Sequence, residues 1–312
     1  MRRSLKTGWV ASSEPGTLWS ASALSTREFT VDHLAEASDH AQRPKRPKRP
    51  VPVGVDPTVP SVARVYDALL GGKDNFAVDR EIADKLMKLT PGGVDVGLYN
   101  RAALGRAVRY IVSQGIDQFI DLGAGLPTVQ NTHEVAQGVN PQSKVVYVDN
   151  DPMVLVHGRA LLADNNNTTV ITADLAEPDA VLDNPDLRAL IDFDRPVGLL
   201  MVSALHHLDD SQRPGELVAR YRDAVPAGSF VFITHFIDGG EETAEIERVL
   251  LTDLGSGRFR SFDEVRGFFA GMELLDPGVV YNPLWRPDPT DVVPDPMSFA
   301  GKIIGAGMGR KP

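Results

Sequence analysis

The chain has 312 residues, 42% hydrophobic and 24% charged, which excludes a mainly disordered protein. It has no cysteine, so disulfides, thiolate metal sites and cysteine nucleophiles are excluded, and no window approaches the ~18 consecutive apolar residues of a membrane span. The net charge of −10 is uneven: residues 1–50 hold nine Lys/Arg and five Asp/Glu (+4), leaving 23 and 37 (−14) for the rest. An acidic body suits a phosphate backbone poorly, because such binding rests on Lys and Arg. The expected partner is a small molecule, with no nucleic acid on the folded body and no membrane.

Residues 1–56 lack helical or strand periodicity and read as a disordered tail. Its segment Arg43-Pro44-Lys45-Arg46-Pro47-Lys48-Arg49-Pro50 repeats a basic-proline triplet that forbids a helix. A weak contact with an anionic surface and an upstream start codon are both compatible with it. No apolar run follows Met1-Arg2-Arg3, so no secretory signal is read, and the cytoplasm is the default location.

A helical cap is expected over residues 57–116. Val62, Val65, Tyr66, Leu69 and Leu70 mark one helical face, stopped by Gly71-Gly72. A second helix starts near Asp79, with Ile82, Leu86 and Leu89 inward, and Pro91-Gly92-Gly93 as its stop. A third covers about 98–114.

From 117 to 312 short apolar runs alternate with helical stretches. Strands are expected at 119–122, 144–148, 169–172, 197–202 and 229–234, then at 278–284 and 297–304 around a proline-rich loop. Asp151-Pro152 and the capping box Ser261 to Glu264 open helices. The pattern predicts a doubly wound α/β domain with a helical preface.

Ligands of such sheets sit at the carboxyl ends of the strands. The first strand runs into Asp121-Leu122-Gly123-Ala124-Gly125-Leu126-Pro127-Thr128, a glycine turn that lets a ligand approach backbone. The second ends in Asp149, placed to accept ribose hydroxyls. The third ends in Asp174, which can accept from an exocyclic amine or merely cap the next turn. Thr128 replaces the third small residue of a dinucleotide fingerprint, and Pro127 removes a donor, which disfavours a pyrophosphate. Asp121 suits a cofactor with a cationic end, such as S-adenosylmethionine.

These residues resemble an actinobacterial S-adenosyl methyltransferase family, formerly a domain of unknown function. The resemblance rests on Ala63-Arg64-Val65-Tyr66-Asp67 through Gly71-Gly72-Lys73-Asp74-Asn75-Phe76, on Asn100-Arg101, on Gln118-Phe119-Ile120 with the glycine turn, on residues 146–152, and on Leu205-His206. It implies a class I methyltransferase, Rossmann-like, with a seven-stranded sheet of order 3-2-1-4-5-7-6 and an antiparallel last strand. It names no acceptor. His207 stands where the family often has an aromatic residue.

The candidate cofactor contacts are therefore Asp121, Gly123, Ala124, Gly125, Asp149, Asn150, Asp174, Leu175 and Ser203, with Arg64 and Arg101 from the preface. Methyl transfer from a sulfonium mainly needs positioning and a dry pocket, and a base only where the nucleophile carries a proton. His206 and His207, after the fourth strand, are candidates for that base. Tyr66 or Phe76, in a lid, would offer an aromatic face to the sulfonium. The bland reading makes the polar preface residues surface ion pairs. No Asn/Asp-Pro-Pro-aromatic tetrapeptide is present, which argues against methylation of a base's exocyclic amine. No H-E-x-x-H spacing occurs, and no metal is expected. Two further readings stand beside the methyltransferase: a non-catalytic S-adenosylmethionine-binding protein, and an NAD(P)-dependent oxidoreductase.

Overall fold

In the computed structural model, residues 51–127, 130–161, 165–291, 293–294 and 297–312 are described. Most of the expected tail, including Arg43 to Pro50, lies outside them. Thr128 does too.

Three helices come first: α1 (Val62–Leu69), α2 (Ala77–Leu89) and α3 (Gly93–Ser113). Ser61 caps α1 by accepting the Arg64 N–H, and Asp79 accepts the Phe76 N–H at the start of α2. The second helix does stop before Pro91, and only three residues, Thr90 to Gly92, separate it from the next helix. Gly92 takes a left-handed turn and α3 begins at Gly93, five residues before the periodicity shows it.

The α/β part then runs β1 (Gln118–Leu122), α4 (Thr132–Val139), β2 (Lys144–Asp149), α5 (Pro152–Leu161), β3 (Thr168–Thr172), α6 (Pro178–Leu182), α7 (Pro185–Leu190), β4 (Gly198–Val202), α8 (Pro214–Ala224), β5 (Phe230–Phe236), α9 (Glu241–Asp253), α10 (Phe262–Gly267), β6 (Glu273–Leu274), β7 (Val280–Tyr281) and β8 (Ile304–Arg310). The sheet order is β3-β2-β1-β4-β5-β8-β6, with β7 also on β8. β1 to β5 are parallel, and β8 pairs antiparallel with β5 over seven residues.

This is the expected class I methyltransferase order, with one strand more than expected. The edge is split: β6 pairs with the far end of β8 and β7 with its near end, around Asp276-Pro277-Gly278. Within the expected 278–284 strand, Pro283 ends the pairing and a 3-10 turn takes Asn282–Leu284. The expected 297–304 strand is corrected: Ala300–Lys302 is a 3-10 turn, and the strand lies at 304–310. Gly305, Gly307 and Gly309 hide it, since glycine is depleted in strands. Here they admit neighbours. A Cβ on Gly307 would sit 2.9 Å from Val279 and 3.0 Å from Phe269.

One face of the sheet is covered by α6, α7, α8 and α10 through residues such as Leu187, Val218, Tyr221 and Val265. The other carries α3 and α4, with Ala103, Leu104, Val108 and Ile111 against Phe119, Val145 and Leu200. So α3 belongs to the sheet's own layer. Of the expected 57–116 cap, α1 and α2 cluster with α9 and the Ile303-Ile304 segment, and Val96 of α3 packs against them. Val55, in the expected tail, packs with Ala63, Met153 and Val154.

Candidate functional site

The tips of β1 and β2 are locked together. Gly123 and Ala124 donate their N–H groups to the Val148 carbonyl at 2.8 and 3.2 Å. Gly125 donates its N–H to Asp149 Oδ2 at 2.8 Å, and Asp151 donates its N–H to Oδ1 at 2.9 Å. Gly125 has φ +67, and a Cβ built on it meets nothing within 4 Å. The turn thus shows bare backbone to open space, as a close ligand requires. Burial raises the Asp149 carboxyl above its usual range. Asp121, buried beneath the turn, accepts the Thr132 hydroxyl at 2.6 Å, and burial lifts its pKa to about 6.

Asp174 is exposed and accepts the Ala176 N–H at 2.8 Å, so it does cap its turn; one carboxylate oxygen has no partner in that bond. Ser203, after β4, has φ +55, a strained position for a serine. Its N–H is held by Thr234 Oγ1 at 2.9 Å.

His206 is buried and stacked on Phe236, ring centroids 3.6 Å apart, and its Nδ1 accepts the Phe236 N–H at 3.4 Å. His207 touches Ser256 Oγ through Nδ1 at 2.9 Å. His235 lies 5.5 Å from His206 by ring centroids; it meets the Phe236 carbonyl through Nδ1 and accepts from Arg260 at Nε2. Burial, reinforced by the neighbouring histidines and Arg260, holds His206 well below its ordinary pKa. Burial alone takes His207 to about 4, and it takes His235 to about 3. All three are neutral at physiological pH.

From the preface, Tyr66 brings a buried hydroxyl with no hydrogen-bond partner. The Arg101 guanidinium stands 5.8 Å from the Tyr66 ring centroid, near Asp121. Arg64 is placed elsewhere. It is buried, pairs with Asp79 at 2.9 Å, and reaches the Val59 carbonyl and the face of Phe76. Neither Arg64 nor Phe76 lines the cavity described next. A guanidinium enclosed by a helix N-terminus and an aromatic ring is a structural ion pair, buried and not on the surface as the bland reading had it.

Every other candidate meets in one cavity of about 440 Å³. It runs from the glycine turn, past Asp149, Asn150, Asp174, Leu175 and Ser203, to Arg101, Tyr66, His206 and His207. The same cavity is also lined by an apolar group, Leu86, Met87, Val96, Phe236, Ile246, Leu250 and Ile304, most of which pack together in one cluster. Sequence reading missed this group. Its residues belong to the apolar faces of α2, α3 and α9 and to the ends of β5 and β8, which carry no motif, and Ser256 lies in a loop without one. Open backbone at Gly125, two strand-end carboxylates, a lone cavity cation and an unpartnered tyrosine hydroxyl together fit an S-adenosyl group. Among the described residues, no cluster of His, Asp and Glu could hold a metal ion, and no helix is long and apolar enough to cross a membrane.

The model of a family described as S-adenosyl methyltransferase matches residues 49–312. A putative methyltransferase from Thermobifida fusca YX is 50% identical, with a TM-score of 0.78 over 81% of this chain and 95% of that one. A DUF574 family protein from Streptomyces avermitilis MA-4680 is 34% identical, with a TM-score of 0.77 over 81% of this chain and 98% of that one. No curated protein matches. The family sets the nicotinamide reading aside and gives S-adenosylmethionine as the cofactor. The chain belongs to the S-adenosyl methyltransferase family and is an S-adenosylmethionine-dependent methyltransferase.

Proposed function

We propose that the protein methylates a small organic acceptor held against the apolar lining of that cavity, beside His206 and His207. The observation that supports this is that one cavity is lined both by the glycine turn and by the apolar group around Leu86, Phe236 and Leu250, with His206 and His207 among the same lining residues. A non-catalytic binder would have no use for that apolar group.

When bound, the cofactor supplies an electrophilic methyl group on a positively charged sulfur. The chain's part is to bind, orient and exclude water. Asp149 keeps lone pairs free for ribose hydroxyls, since each oxygen already accepts one backbone N–H and can accept another. Asp174 offers its free oxygen to an amine, and Leu175 an apolar surface to a purine. Ala124 and Asn150 complete the rim, and Ser203 closes the β4 side. Arg101, the cation in the lining, is suited to a carboxylate. Asp121 balances an ammonium group. Tyr66 covers the reacting end from α1, and its unpartnered hydroxyl is available to a bound molecule. The cysteine-free chain suits the reducing cytoplasm, the compartment we propose.

Incubation with methyl-labelled S-adenosylmethionine and an actinobacterial cell extract, split into small-molecule and macromolecular fractions, tests this. Label is expected in the small-molecule fraction. Label confined to protein or nucleic acid would overturn the proposal.

A further inference from the structure

Among the described residues, the apolar part of the lining carries no charged side chain. The acids of the cavity, Asp121, Asp149, Asp151 and Asp174, all stand at or beside the tips of β1, β2 and β3, and Arg101 stands near Asp121. On the other side the polar groups among the lining residues are neutral: His206, His207, Ser256, Gln212, Thr90 and Asn100. A carboxylate or phosphate on the acceptor would lose its hydration there without a cation to replace it. An ammonium would meet burial together with the cofactor's own positive charge.

The two histidines at the mouth are not equivalent. His206 accepts the Phe236 N–H at Nδ1, so in its neutral form the proton sits on Nε2 and the ring can only donate from there. His207 is held at Nδ1 by Ser256, at 2.9 Å. With that hydroxyl accepting, Nε2 of His207 is bare. His207 also keeps partial exposure while His206 is 1% exposed. A neutral imidazole can accept a proton, and a phenolic hydroxyl of pKa ~10 gives one up far more readily than an aliphatic alcohol does.

We propose that the acceptor is an uncharged, mainly apolar molecule bearing a phenol-like hydroxyl, that His207 takes its proton, and that Ser256 is the positioning residue that holds the His207 ring at Nδ1. This rests on the methyltransferase reading above. The hydroxyl proton passes to Nε2 of His207. The oxygen lone pair forms the new O–CH3 bond as the C–S bond breaks. That bond's electrons stay on sulfur, which leaves as a neutral thioether, and the proton later returns to water. His206 Nε2–H remains a hydrogen-bond donor to the same oxygen.

The test uses the protein saturated with S-adenosylhomocysteine and two probes of one size, 2-naphthol and 2-naphthoate, titrated by calorimetry. The naphthol is expected to bind at least about tenfold tighter. Equal or tighter binding of the naphthoate, or no binding of the naphthol, overturns the acceptor class. Failure to bind S-adenosylhomocysteine at all is a different result and overturns the reading beneath it. The second arm follows methyl transfer to 2-naphthol across pH. Ser256→Ala is expected to lower kcat about tenfold, a fraction of the ~100-fold that a general base supplies, with S-adenosylhomocysteine affinity retained. Ser256→Thr, which keeps the hydroxyl, restores it. An unchanged kcat and pH profile in Ser256→Ala, or no transfer to bound naphthol by the parent enzyme, overturns the assignment of His207 and Ser256.

Discussion

Asp149 and Gly125 are joined across 24 residues by one hydrogen bond of 2.8 Å, from the glycine N–H to the carboxylate at the end of β2. The same side chain that shapes the turn is thus the one offered to the ribose. Asp149→Ala removes both functions. Losing two hydrogen bonds to a charged group, at ~1.5–3 kcal/mol each, is expected to weaken S-adenosylhomocysteine binding by about a hundredfold or more. Calorimetry checks this, and an unchanged dissociation constant would refute the role of Asp149.

Asp121 gives a pH dependence with a definite sign. Its pKa is raised by burial from 3.8 to about 6, so between those values the folded protein holds a proton that the unfolded chain releases. Its contribution to stability therefore falls as pH rises from ~4 to ~6, by up to ~3 kcal/mol, and stays lost above that. Asp121→Asn is expected to melt higher than the parent at pH 7.5, with little gain at pH 3.5. It should also bind S-adenosylmethionine less tightly, because the ammonium loses its counter-charge. A variant that melts lower by the same amount at both pH values would rule out the buried-charge account.

Arg64 separates stability from binding. Breaking a buried ion pair by removing one partner costs ~3–5 kcal/mol, and Arg64 and Asp79 are both buried. Arg64→Met is expected to lower Tm by roughly 6–20 °C, at ~2–4 °C per kcal/mol. The folded variant should keep the parent's affinity for S-adenosylhomocysteine. A tenfold or greater loss of affinity in the folded variant would return Arg64 to the binding site.

Gly307 faces Val279 and Phe269 at distances a side chain would violate. Gly307→Val should cost ~1–3 kcal/mol from overpacking, read as a lower urea midpoint with unchanged slope. No change in midpoint would mean that the strand has slack.

What could be read from the sequence follows from how local each signal is. The β1 and β2 tips were legible because their chemistry lies in short contiguous stretches, Asp121 to Gly125 and Asp149 to Pro152. β8 was not, because its glycines make sense only beside Phe269 and Val279, which come from elsewhere in the chain. Arg64 was misplaced for a related reason. A motif shows that a cation stands on α1 but not that Asp79, 15 residues on, claims it. The acceptor wall was hidden in helix faces that look like any others, and Ser256 acquires a role only through its distance from His207.

Arg260 ties one wall of the cavity by more polar contacts than hold the α1–α2 wall. Its guanidinium donates to the Leu205 and Leu208 carbonyls, His235 Nε2 and Asp210, clamping the loop that carries His206 and His207. The opposite wall, α1 and α2, is held by apolar contacts, the Ser61–Asp151 hydrogen bond and an exposed Lys85–Asp253 pair. Displacing α1 and α2 would therefore break mainly apolar contacts and two polar ones, whereas displacing the histidine loop would strip four acceptors from one buried guanidinium.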